Sequence, residues 1–449
     1  MRRSFTGLVA AMENDKPKTD GDDKEIGDNA NSLETDAIEI SDSAAEGEAH
    51  QAATDEAEST AEALENFAVA IRGAQANGGL NEHGAQILSI ATEHMFTRMG
   101  IDSHQSSMPA LESYGTTSSR LQAGVIALEA INEQIKNIWK AIVAAIKKAY
   151  EWVKKYWLQV FGAAEKLQKR AKALEEAARS PGSTTKEKTF ENDRLAKALA
   201  IDNAVPANIV AEATNLKEAV STVVSVGAKL SGDIGEIAIK ALDELKGDSL
   251  GPLLAMAKPF PGSDKVGDPQ AEGLAAGQEG IEVSRSKQLP GGRALISRTP
   301  AASTSGKTLE QMIKLVGETS YTMGKYSSKI KDEPVGKKFN TALKADAGKI
   351  ANTVGLIAEE MLAYRKATPK LEEMQSKLAA AAEKIANGAG AEEDEAKRKD
   401  LSACKSIATM ANRVFTQPGA EFMKYAVNTS KALLDYVEES LKQYEKAAA

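Results

Sequence analysis

Between residues 118 and 179 apolar side chains return at every third or fourth position. Val125, Leu128, Ile131, Ile135, Ile138, Ile142, Ile146, Ala149, Val153, Tyr156 and Val160 form one series. That spacing is the helical period, so the pattern predicts one long amphipathic helix. SPGS at 180–183 ends it, because proline and glycine both break the ladder. Shorter stripes precede it. Leu64, Phe67, Ala68 and Ile71 predict a helix over about 55–75, and Leu80, Ile87, Ile90 and Met95 another over 78–99. Residues 184–246 predict two or three Ala/Val-rich helices, broken near AVPAN (204–208) and the glycines of SGDIG. Further on, helices are expected over 308–331, 337–366, 370–387, 394–416 and 420–446, with TQPGAE separating the last two. The final helix carries Phe422, Ala426, Leu433, Val437, Leu441 and Tyr444 as its stripe.

Two stretches lack the helical period. Residues 14–60 hold few large apolar side chains and dense negative charge, which predicts disorder. Residues 247–307 hold Pro252, Pro259, Pro261, Pro269, Pro290 and Pro300 with many glycines. Inside them IEVSRSKQLPGGRALISR alternates on both sides of a PGG turn, which predicts a β-hairpin near 281–298. The fold expected is mainly α: an elongated helical bundle with a small β-hairpin insertion and a disordered acidic N-terminal region. Its parts are an acidic segment 1–112, a helical part 113–246 with the basic aromatic helix at 120–179, the insertion 247–307, and a helical part 308–449.

Composition supports this class. Alanine dominates the apolar residues and aromatics are only 5% of the 449, which favours helices over a β-sandwich. No run reaches the ~18 apolar residues of a membrane-spanning helix. The opening MRRSFTGLVAAMEND has two arginines and a short apolar run, but Glu13 and Asp15 follow at once, so a short helix or tail is expected rather than an export signal.

Charge divides the chain. Residues 1–113 carry 7 Lys and Arg against 22 Asp and Glu, a net −15. The remaining residues carry 49 against 42, a net +7. The reversal falls at SSMPALESYGTTSS (106–119), where Pro109 and Gly115 among serines and threonines predict an extended, exposed loop open to proteases. Basic density peaks just beyond it. Between 136 and 172 ten Lys and Arg face only Glu151 and Glu165. All three tryptophans, Trp139, Trp152 and Trp157, lie in the same helix, and Lys140, Lys147, Lys148, Lys154 and Lys155 share a narrow polar strip. An aromatic arc beside a lysine strip suits a membrane interface, or phosphate contact without sequence reading. It equally suits a central bundle helix with its arc buried.

No catalytic constellation emerges. AASTSGKT (301–308) resembles a phosphate loop, but Ala301 stands where its first glycine is needed and no clear strand leads in. His50, His83, His94 and His104 lack metal-ligand spacing. Cys404 has no histidine after position 104 to activate it. No enzyme activity, cofactor or metal is expected.

The triplet small–x–Glu occurs at Ala110, Leu111 and Glu112 in the open junction, and again as AME (11–13), SLE (32–34), AIE (37–39), ALE (63–65), ATE (91–93), ALE (127–129) and ALE (173–175). The last two should be protected inside helices. The acidic N-terminal piece, the MPALESYG junction, the basic aromatic helix and the Ala-rich helical body together resemble the internal head proteins of giant phiKZ-like tailed phages. In that class a prohead protease cuts after glutamate in such motifs. The resemblance implies an acidic propeptide removed between Glu112 and Ser113, with SLE and AIE aiding its degradation. It implies a structural, non-enzymatic virion protein inside the capsid, made in the host cytoplasm. Its expected partners are the prohead protease, packaged DNA without sequence preference, other internal head proteins or the capsid, and the host membrane if the body is ejected with the genome. Two alternatives remain open from the residues: a membrane-active helical protein acting through 135–161, as a pore or ejection channel, and a scaffold needed only in assembly.

Overall fold

The computed structural model describes residues 22–98, 115–180, 187–244, 250–277, 279–301, 306–331, 333–366, 368–388 and 395–444. It is mainly helical, with long helices and two small antiparallel sheets. The longest element, α3 (Thr117–Arg179), is the helix that the apolar stripe predicts. At ~1.5 Å per residue it is about 95 Å long. A reciprocal capping box opens it: Ser119 N–H donates to the Thr116 hydroxyl, while Thr116 N–H donates to Ser119 Oγ at 2.9 Å. It stops at Arg179, before the SPGS signal.

Before α3 come α1 (Asp22–Ala76) and α2 (Glu82–Arg98). The expectation of disorder over 14–60 is corrected from Asp22 onward, where the chain is helical. The reason is tertiary: α1 lies along α3 and buries a stripe there. Beyond α3 follow α4 (Asp193–Leu199) and α5 (Ile209–Glu244). AVPAN breaks the chain as expected, whereas SGDIG is absorbed within α5.

The hairpin forms between β3 (Ile281–Arg285) and β4 (Arg293–Pro300), joined through a tight turn at Pro290–Gly292. It belongs to a larger sheet, flanked by β2 (Asp264–Lys265) and β5 (Ser320–Lys325) in the order β2-β3-β4-β5. The helix expected over 308–331 is therefore corrected: it is α7 (Leu309–Glu318), and SYTMGK then pairs with β4 as β5. Thr319 N–H closes α7 on the Leu315 and Val316 carbonyls, freeing Tyr321 to enter the core as a strand residue. Short α6 (Leu250–Met256) ties the Pro-rich stretch down, with Leu250, Leu253, Leu254 and Phe260 all in the core. A second sheet pairs β1 (Thr189–Glu191) with β6 (Lys338–Asn340), so the helix expected from 337 starts later, as α8 (Lys344–Tyr364). Phe190, Phe339 and Tyr436 stack around that pair.

Last come α9 (Thr368–Gly388) and α10 (Glu395–Lys442). Two helices were expected where α10 runs unbroken through Pro418 and Gly419. Proline removes one ladder donor, and packing on both flanks outweighs that loss. The main core gathers α3, α5, α8 and α10 around Tyr156, Trp157, Leu167, Val354, Met361 and Leu433. No helix among the described residues is long and apolar enough to cross a membrane.

Candidate functional site: the basic aromatic helix and its acidic cover

The helical period places the aromatic arc of 135–161 on one side of α3, and that side faces the interior. Trp139, Trp152 and Trp157 are all buried. Trp152 stacks on Tyr156 at 5.4 Å, Trp157 on Phe161 at 5.7 Å, and Tyr364 of α8 closes on Trp157 at 4.5 Å. Burial pushes the Tyr156 phenol well above its ordinary pKa, so it stays neutral. The lysine strip faces outward. Lys140, Lys147, Lys148 and Lys155 are exposed and Lys154 is half-buried. Lys147 pairs with Glu383 of α9 at 3.1 Å; the other four make no ion pair among the described residues. Thus the indoles and the lysines share a helix but not a surface.

What covers the arc is the acidic helix. Leu33 and Ile40 of α1 join the cluster around Trp152, and Leu64 and Ile71 join the one around Ile131, Ile135 and Trp139. Trp152 Nε1 donates to the Ser43 carbonyl at 2.6 Å. Gly47 lies flat against that indole, since a Cβ there would fall 2.2 Å from a ring carbon. Ion pairs run beside the apolar seam. Lys166 meets Asp36 at 2.7 Å, Arg194 meets Glu34 at 3.1 Å, and Lys405 of α10 forms a close pair with Glu65. The Lys405 ammonium also sits 4.7 Å over the Trp139 ring. Acidic and basic parts of the chain are therefore matched side by side.

Ala110, Leu111, Glu112 and Ser113 lie outside the described residues, between the end of α2 and the cap of α3. The glutamates of the SLE, AIE and 63–65 triplets (Glu34, Glu39 and Glu65) are in α1, and those at 127–129 and 173–175 are in α3. Sequence reasoning missed α1 as a cover. Its buried positions, Leu33, Ala37, Ile40, Ser43 and Gly47, do keep steps of three and four, but small residues hide the stripe from a hydrophobicity count.

The remaining candidates settle into local structure. A strand, β4, does lead toward AASTSGKT, contrary to expectation. Thr308 caps α7, its hydroxyl taking the Gln311 N–H. His50 lies in α1 and His83 and His94 in α2, while His104 is outside the described residues. Among the described residues no group of three or more potential ligands could hold a metal ion. Cys404 is buried in α10.

A family model described as phiKZ-like phage internal head proteins matches residues 25–439. No curated protein and no solved structure matches the chain.

Proposed function

This chain belongs to the phiKZ-like phage internal head proteins, structural components of the virion interior, and from that premise we propose that it is made as a precursor and matured by the prohead protease. The cut falls between Glu112 and Ser113. Residues 1–112 act as an acidic propeptide. The retained body comprises the helical part 113–246, the insertion 247–307 and the helical part 308–449, and it is packaged with the DNA and ejected with it. The observation that carries this reading is the pairing of α1 with α3. An acidic helix on one side of the motif covers the basic, aromatic helix that opens the other side. Before assembly that cover keeps a net −8 chain away from nucleic acid; removal of the segment leaves a body at +7. N-terminal sequencing of the protein from purified particles tests it. A start at Ser113 supports the reading and a start at Met1 sinks it; absence of the body from mature particles would instead make it a scaffold.

The same geometry supports a second reading of the ejected body. Loss of α1 would bare Trp152, Ile131 and Ile135 beside the strip of Lys140, Lys148, Lys154 and Lys155, an arrangement suited to an anionic bilayer. Leakage of dye from anionic vesicles by particle-derived protein, absent with the precursor, is the expected signature.

A further inference from the structure

We propose that a cationic cleft between the hairpin turn, α4 and α10 binds a phosphodiester of the packaged DNA; the inference rests on the reading that this body lies against DNA. The cleft holds about 270 Å³. Four cations from four separate elements line it: Lys197 of α4, Arg293 at the start of β4, Lys325 at the end of β5 and Lys331 in the loop beyond. No carboxylate lines it among the described residues. Arg293 and Lys331 make no ion pair with any described residue, while Lys197 is steadied from outside the lining by Glu333 at 2.9 Å. Positive charge thus converges on a concave surface whose described lining carries no carboxylate, a condition that favours anion capture.

The cleft is built rather than incidental. Its floor is the turn at Gly291 and Gly292, both with positive φ. A Cβ at Gly292 would come within 2.5 Å of Ile330, so the backbone there has to be bare. Tyr425 of α10 fixes the turn, its hydroxyl donating to the Pro290 carbonyl at 2.8 Å. Asn203 holds a left-handed φ of 65° and accepts from Lys331 N–H at 2.6 Å, which sets the direction of the Lys331 loop. A strained residue that positions a cation belongs to the pattern of functional sites.

Size and lining identify the ligand class. The volume falls just below the roughly 300–1,000 Å³ of sites for drug-sized molecules. Tyr425 is the single aromatic of the lining and its hydroxyl is engaged with the turn, so no stacking platform is offered to a base. Cations without a platform contact backbone and carry no sequence preference.

The test measures binding of the matured protein, isolated from purified particles as wild type and as each variant, to a fluorescent mixed-sequence duplex between about 50 and 200 mM salt. Arg293→Gln with Lys331→Gln is expected to weaken binding about tenfold at the low end and to flatten the log K against log salt slope by about 0.9, the contribution of the one phosphate contact. Lys148→Gln with Lys155→Gln on the α3 strip serves as the comparison, and circular dichroism confirms helicity in each variant. Wild-type affinity in the cleft variant, with loss only in the strip variant, overturns the cleft and leaves the DNA reading standing. A wild type that binds no duplex overturns both. Inorganic phosphate forms the second arm. Thermal stabilisation by phosphate that the cleft variant loses, while its DNA affinity stays wild type, assigns the cleft to a free anion and overturns the DNA contact.

Discussion

Among the described residues Arg170 is the largest side chain that is fully buried. It bridges α3 to α10, reaching Asp435 at 2.7 Å and Glu438 at 2.5 Å, with Lys431 on the far side of Asp435 at 3.1 Å. A buried guanidinium is tolerable because its fork matches two carboxylates at once. Removing it takes the buried partner from both carboxylates and leaves them to Lys431 and the more exposed Lys442, which costs more than the pair contributes. Arg170→Met should lower stability by roughly 3–5 kcal/mol, read as a fall in the urea midpoint. Adding Glu438→Gln should restore part of that loss, because Asp435 then keeps Lys431 and no carboxylate is left in excess. A double variant no better than the single one would show that packing, not charge, dominates the site. In the sequence Arg170 is one of ten basic residues between 136 and 172, with nothing local to set it apart. Its burial depends on α10, some 260 positions later, and no local pattern announces that.

At the scale of elements, the strongest signals were legible and the weakest failed for identifiable reasons. The stripe of α3 and its stop at SPGS could be read because eleven apolar residues, ten of them large, keep one period. The PGG hairpin was legible because alternation flanks a turn. β5 was not: Tyr321 and Met323 fit a helix as well as a strand, and only pairing with β4 decides between them. α1 was hidden because its inward positions are often Ala, Ser, Thr or Gly, small enough to let it approach the indole of Trp152. The candidate tryptophans were found by sequence, yet their inward direction depends on α1 and α8. α10 exposes the opposite error, a breaker outvoted by packing. Pro418 leaves the Val414 carbonyl without its ladder donor, a defect worth ~3 kcal/mol in a helix interior. Pro418→Ala should therefore raise the melting temperature, by up to that amount of stability. An unchanged or lowered value would mean that the helix bends there and that the bend is used in packing.

On the scale of the whole molecule, the proposed maturation meets an energetic obstacle that predicts its course. α1 contributes Leu33, Ile40, Leu64 and Ile71, each fully buried against the rest of the chain. At about 1.5–3 kcal/mol per side chain, those four alone supply ~6–12 kcal/mol of gross apolar stabilisation. Ion pairs from Asp36 and Glu65 add to it. Cutting one peptide bond after Glu112 removes none of these contacts; it only makes their loss a dissociation. The freed segment then gains translational and conformational entropy, terms of about 4–15 kcal/mol for association and more for the ordering of a helix poor in large apolar residues. The two sides are close, so a single cut should leave the segment attached or slowly leaving. Further cuts should tip the balance, because each fragment keeps only part of the seam. Glu34 follows Leu33, Glu39 directly precedes Ile40 and Glu65 follows Leu64, so cuts after them would divide the buried stripe into separate pieces. These sites are helical in the precursor and become good substrates only as α1 frays. Partial digestion with a glutamate-specific protease, followed by size-exclusion chromatography, tests this order. The expected first product is a nicked complex in which the 1–112 fragment co-elutes with the body, and separation should follow only with cuts inside α1 or with added urea. Immediate separation after the first cut would mean that the seam is weaker than its buried residues imply, and that the body's apolar face is bared in one step.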